Sequence, residues 1–161
     1  TDKVLSGTDE SRCSRSNVVL VAMQSEYWTK IVEASLGVFV AKNSARVVSR
    51  IPLSAVPDIS NNLPLLSIIT LNRSLSFVVL DYDAVEGIDS TLQSARNIYQ
   101  GPIMVCGWDA RLKTKAIGAG ADVFVQKYGN RPRMLRALER GIEEAVMRNT
   151  RVRCGSYTGP V

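Results

Sequence analysis

The chain contains no histidine. That absence removes the commonest general base, the commonest metal ligand and the side chain that titrates nearest neutral pH. A Ser-His-Asp hydrolase triad is therefore excluded, and no G-x-S-x-G elbow is present. Cysteine is scarce and odd in number. Cys13, Cys106 and Cys154 lie far apart and supply neither a disulfide framework nor the paired spacings of a zinc site. A reducing, cytoplasmic setting is expected, with no metal and no cofactor. No apolar run approaches the roughly 18 residues of a membrane-spanning helix, and the opening TDKVLSGTDESRCSRS is polar where a secretory leader would be apolar. No membrane partner is expected. The phosphate-binding G-x-x-x-x-G-K-[ST] loop is missing, and the G-x-G of IGAGAD closes a helical pattern before a strand, the reverse of a dinucleotide-binding turn.

What is present fits one ordinary domain: 161 residues, 45% of them apolar and 22% charged. Twenty basic against fifteen acidic residues leave a net charge of +5. Much of the excess is arginine near the C-terminus, at 131, 133, 136, 140, 148, 151 and 153, interleaved with Glu139, Glu143 and Glu144. A helix carrying both signs reads first as a solvated face, with a nucleic-acid, membrane or acidic-partner surface as the alternative.

Residues 1–15 are polar and read as a flexible arm, ahead of a domain over 16–148 and a linker or tail over 149–161. NVVLVAM opens the domain as a strand. SEYWTKIVEASLG follows as a helix with Ser25 as N-cap and Trp28, Ile31, Val32 and Leu36 on one face. VFVA at 38–41 reads as a second strand, and NSARVVSRI as a helix that stops before Pro52. The proline- and asparagine-rich stretch 52–64 reads as a loop insertion, and 65–73 as a further helix. SFVVL is an apolar strand ending at Asp81. Next comes a helix capped by Asp89 or Ser90, with Ile88, Leu92, Ala95 and Ile98 to Tyr99 inward. GPIMVCG is a fourth strand, DARLKTKAIGAG a helix capped by Asp109, and DVFVQ a fifth strand. The last helix buries Met134, Leu135, Leu138, Ile142, Ala145 and Val146 and is expected to end near Arg148. Five strands alternating with helices specify an α/β fold, a doubly wound parallel sheet whose site lies at the carboxyl ends of the strands.

Two signatures resemble those of response-regulator receiver domains, the chemotaxis-regulator-like fold. SFVVLD delivers Asp81 at a strand tip before Gly-Ile-Asp at 87–89, and AIGAGADVFVQK is similar to the family's A-L-x-A-G-A-D-x-Y-L-x-K. The resemblance spans about residues 17–147 and implies the sheet order 2-1-3-4-5. It implies that Asp81 stands at the phosphoacceptor position and Lys127 at the charge-neutralising lysine. It also implies an acidic pair for Mg²⁺ after strand one, where this chain has Ala22 and Met23, and a Thr or Ser after strand four, where it has Gly107. Phe124 falls at the aromatic switch position, and Tyr128 replaces the proline after the lysine. Asp83, Glu86 and Asp109 are the carboxylates left to substitute as ligands; none has the family's spacing.

The expectation is an atypical, degenerate receiver that is not an enzyme. It regulates an attached output domain or a partner by protein contact, possesses no Mg-dependent phosphorylation, and meets nucleic acid only through an output domain, as in a transcriptional regulator. Asp81 with Lys127 reads either as a plain ion pair or as a retained phosphoacceptor site, and a flavodoxin-like small-molecule binder is the third reading. Cys106 reads as a core residue. Trp108 reads as a lid over the degenerate pocket or as a partner anchor. The resemblance implies a self-association face carrying Arg111, Lys113, Lys115, Gln126, Arg133, Arg136, Glu139 and Arg140, expected to form a weak homodimer.

Overall fold

A computed structural model of the chain describes residues 18–49, 75–83 and 88–158. The expected arm at 1–15, the insertion at 52–64, the helix at 65–73, and Glu86 and Gly87 lie outside the described residues.

Five parallel strands form one sheet in the order β2-β1-β3-β4-β5. The strands are β1 (Val18–Ala22), β2 (Arg46–Ser49), β3 (Leu75–Asp81), β4 (Ile103–Gly107) and β5 (Val123–Gln126). The helices are α1 (Glu26–Ser35), α2 (Gly37–Asn43), α3 (Ile88–Ile98), α4 (Lys113–Ala119) and α5 (Arg131–Thr158), with a 3-10 turn at Ala110–Leu112 ahead of α4. The expected sheet order and the α/β fold hold.

The strands are buried on both faces, and their period of two splits the core into two slabs. Leu20, Val78, Leu80, Ile103, Val105 and Phe124 point to one side, against Leu92, Ala95 and Tyr99 of the α3 region and Ala116 and Ala119 of α4. Val19, Val21, Phe77, Val79, Met104, Cys106 and Val125 point to the other, against Trp28, Ile31 and Val32 of α1 and Met134, Leu138, Ile142 and Ala145 of α5. Ser25 caps α1 as expected, its hydroxyl accepting from the Trp28 N–H at 3.4 Å.

Four sequence readings are corrected. Residues 38–41 are helical, not a strand, and Arg46–Ser49 is the strand β2, not part of a helix. Asn43-Ser44 is a helix stop, not a start: Ser44 sits at φ 52° in the left-handed region and its N–H closes on the Val40 carbonyl. Val47 and Val48 instead extend alongside Val19 and Leu20. The helix α3 begins at Ile88, ahead of both expected caps, and Ile98 is exposed where an inward position was expected. α5 continues to Thr158, about ten residues past the expected end at Arg148. After Pro132 in its first turn, no proline occurs before Pro160.

At the amino edge of the sheet Arg96 holds four elements together. Its Nη2 donates to Asp122 Oδ2 at 2.8 Å, its Nε to the Gly120 carbonyl at 2.9 Å, and its Nη1 to the carbonyls of Tyr99 and Gly101 at 3.1 and 2.7 Å. Asp122 Oδ2 also accepts from the Ile103 N–H at 2.9 Å. Gly120 ends α4 at φ 125°, a conformation costly for any side chain, and a Cβ there would lie 2.9 Å from that of Arg96. Asn149 of α5 donates to the Gln100 carbonyl at 3.0 Å at the same edge. Arg96→Ala is expected to lower the unfolding free energy by about 2–4 kcal/mol. Urea denaturation reads this as a lower midpoint at constant slope; an unchanged midpoint would show that the cluster is dispensable.

Candidate functional site

The carboxyl edge is organised by one buried cation. β3 delivers Asp81 and β5 is followed by Lys127; both side chains are fully buried. Lys127 is placed by the ladder, since its own N–H donates to the Gly107 carbonyl at the tip of β4 at 2.8 Å. Its ammonium lies 2.8 and 2.9 Å from the two carboxylate oxygens of Asp81 and 3.0 Å from Asp83 Oδ2. Three N–H donors thus meet three carboxylate oxygens. The ammonium also stands over the Trp28 ring, 5.0 Å from its centroid.

Asp81 is saturated from the other side as well. Its Oδ2 accepts from the Gln24 N–H at 2.8 Å and its Oδ1 from the Asp83 N–H at 2.9 Å. Four hydrogen bonds therefore occupy its two oxygens. Asp83 Oδ2 accepts a further bond from the Trp108 N–H at 2.9 Å, which ties the end of β4 to the turn after β3.

The positions read from the sequence as degenerate are filled, not hollow. Ala22 and Met23 are fully buried apolar residues and offer no oxygen to a hard cation. A Cβ on Gly107 would lie 3.0 Å from Phe124 Cζ and 3.3 Å from Tyr82 Cβ. Phe124 is buried and packs edge-on against Tyr82 at 6.5 Å, so the ring at the switch position takes up space that a side chain at 107 would need. Tyr82 in turn donates its hydroxyl to Asp89 Oδ1 at 2.5 Å. Burial first, and Asp89 second, push its pKa well above the usual phenol range.

Of the expected substitute ligands, Asp83 and Asp109 are each committed elsewhere. Asp83 is committed to Lys127 and the Trp108 N–H. Asp109 caps the 3-10 turn through the Arg111 N–H and pairs with that guanidinium, which holds its carboxyl below the ordinary range. Among the described residues no group of three or more potential ligands could hold a metal ion. The Mg²⁺ that the receiver resemblance implies does not fit the residues present: its acidic pair is apolar, and an ammonium takes the carboxylates that remain. Cys106 is the core residue expected, buried in the slab that faces α1 and α5. Burial first, and the neighbouring Asp81 carboxylate second, push its thiol up, away from reactivity.

Trp108 is half-exposed and meets the edge of Trp28 at 5.5 Å. The residues of the expected self-association face are on the surface: Arg111, Lys113 and Lys115 beside and on α4, Arg133, Arg136, Glu139 and Arg140 on α5, with Gln126 half-buried. Lys115 approaches Asp89 at 3.8 Å, and Arg133 stacks over Tyr128 at 4.1 Å. The sequence reading missed the roles of Gln24, Trp28, Tyr82 and Asp89. Backbone donors carry no sequence signal, and the helical spacing of Trp28 reads as core whether its ring covers a leucine or an ammonium.

No protein-family model matches the chain, and no curated protein matches it. Solved structures do. The phosphorylated cyanobacterial phytochrome response regulator RcpA is 12% identical with a TM-score of 0.58, over 81% of this chain and 94% of that one. A response regulator receiver domain from Rhodospirillum rubrum is 13% identical with a TM-score of 0.57, over 76% and 89%. An orphan response regulator of H. pylori is 15% identical with a TM-score of 0.53, over 80% and 98%. The chain has the fold of response-regulator receiver domains.

Lys127→Met keeps the aliphatic stem and removes the charge, leaving Asp81 and Asp83 unneutralised. A loss of about 3–5 kcal/mol is expected, and adding Asp81→Asn is expected to restore part of it, because a neutral amide tolerates burial better than an unpaired carboxylate. Chemical denaturation of the single and double variants checks this; a single-variant loss below about 1 kcal/mol would make the triad a surface-like pair.

Proposed function

We propose that the chain is an atypical receiver-fold signalling domain that acts by protein contact and performs no chemistry of its own. The observation that carries this reading is the saturation of Asp81 by four hydrogen bonds, two of them from a buried lysine. Phosphoryl transfer between anionic groups depends on positioning and charge neutralisation, usually with a divalent ion bridging the oxygens. Here the acidic pair is Ala22 and Met23, the hydroxyl position is Gly107, and the aspartate is enclosed. Of the two readings of Asp81, the ion pair is favoured over the phosphoacceptor. In this reading the domain regulates an output domain or separate partner, and nucleic acid is reached only through such a domain. Among the described residues no helix is long and apolar enough to cross a membrane.

Incubation with Mg²⁺ and acetyl phosphate is expected to leave the intact mass unchanged. A phosphoryl adduct mapping to Asp81 would sink the proposal and restore the phosphoacceptor reading.

Self-association belongs to the same proposal. α5 buries Met134, Leu138, Ile142 and Ala145 and leaves Arg136, Glu139, Arg140 and the half-exposed Glu144 among the residues outside the core. Residues of both signs on one helix can cross-pair about a two-fold axis. Each exposed pair contributes only about 0–1 kcal/mol, so the dimer is expected to be weak and salt-sensitive. Sedimentation should show a shift toward monomer at high salt and on Arg136→Glu. A monomer at high protein concentration and low salt would remove this face as a self-association site.

A further inference from the structure

The carboxyl edge carries a feature that the ion triad does not explain. Tyr27 and Trp108 are 52% and 49% exposed, and each meets the edge of the buried Trp28, at 5.2 and 5.5 Å. Single exposed aromatic rings are ordinary, but two that flank a third form a continuous aromatic surface. It gathers both tryptophans of the chain. We propose that Tyr27, Trp28 and Trp108 form a docking surface for an arginine- or lysine-bearing segment of a partner protein. The proposal rests on the reading that the domain works by contact, and it names the surface and the chemistry of the partner.

Charge decides the occupant. Asp81 and Asp83 share the single ammonium of Lys127, which leaves that triad with one net negative charge in a chain whose net charge is +5. The outlet for that charge is Asp83, whose side chain is 22% exposed and accepts the Trp108 N–H. A partly open carboxylate and an exposed indole are therefore adjacent. The other carboxylates near the rings are held only by neighbours in sequence: Glu26 by Lys30 at 4.0 Å, and Asp109 by Arg111 at 2.9 Å. Exposed pairs of that kind are easily exchanged for an incoming cation. The affinity of the cluster for a cation is already visible, since Trp28 holds the Lys127 ammonium. Arginine fits such a place best, stacking its plane on a ring while its N–H groups reach a carboxylate. An acidic segment meets the uncompensated charge, and an uncharged apolar helix finds two half-exposed rings where a groove is needed.

Short amidated peptides bearing arginine, glutamate or leucine at matched positions, titrated against the whole chain, test the proposal. Trp108 lies in the surface and Trp28 packs directly against it, so intrinsic fluorescence reports occupancy. The arginine peptide is expected to give a saturable change, weakened by salt. Calorimetry with Trp108→Ala and Tyr27→Ala, both at exposed positions that leave the core intact, is expected to show roughly three- to fivefold weaker binding. No saturable change with the arginine peptide overturns the proposal, as does preference for the leucine or glutamate peptide or equal binding by both variants. Its failure is separable from failure of the contact reading, because a phosphoryl adduct on Asp81 would remove that reading with peptide binding intact.

Discussion

One ammonium between two carboxylates, with Lys127 and Asp81 fully buried, is the constraint on which the carboxyl edge depends. Burying Lys127 and Asp81 costs several kcal/mol per ion unless each donor and acceptor is matched. The fold supplies the match through backbone from three places: Gln24 after β1, Asp83 after β3, and Gly107 at the end of β4, which fixes Lys127 by accepting its N–H. The triad therefore holds the tips of β1, β3, β4 and β5 in one arrangement, and the aromatic residues of the edge pack on that platform.

The opposite edge is held by the same physics in another form. Arg96 spends its guanidinium on three carbonyls and one carboxylate and joins α3, the end of α4 and the starts of β4 and β5. Its partner Asp122 is also approached by Asn149 of α5 at 3.5 Å. A charged cluster thus stands at each edge of the sheet, with apolar slabs between them, and charge-assisted bonds tie the strand ends that meet there.

Legibility in the sequence followed the strength of local constraint. SFVVLD and DVFVQK were readable because uninterrupted apolar runs end abruptly in a charge, and in a parallel sheet that pattern places the charge at the carboxyl edge. Gly120-Ala121-Asp122 was readable as a helix stop and strand start. The 37–49 region was not: Val38-Phe39-Val40 and Val47-Val48 offer equal β-branched character, and only alignment with β1 decides which pair extends. Val38 ends 72% exposed on α2. The Asp81–Lys127 pair was visible as two residues at matching strand ends, whereas the donors that saturate it are peptide groups, and the covering ring comes from a helix whose spacing marked it as core.

The departures from the receiver pattern at 22, 23 and 107, and the ring at 124, are mutually consistent in physical terms. Two more carboxylates after β1 would place four around a single ammonium, and like charges at 4 Å repel by about 4 kcal/mol at an effective dielectric constant of 20. Such a site would require a divalent ion to remain closed. With Ala22 and Met23 packed in the core, Lys127 reaches both Asp81 and Asp83 and the residual charge is one unit. Glycine at 107 completes the set, because without a Cβ there Phe124 packs inward against Tyr82. A Cβ alone would press on that ring, so restoring a hydroxyl at 107 would require Phe124 to move, and restoring an acid at 22 or 23 would bury a charge among apolar side chains. No single substitution turns this edge into a metal-binding arrangement; its residues form an electrostatic solution of their own, closed by lysine.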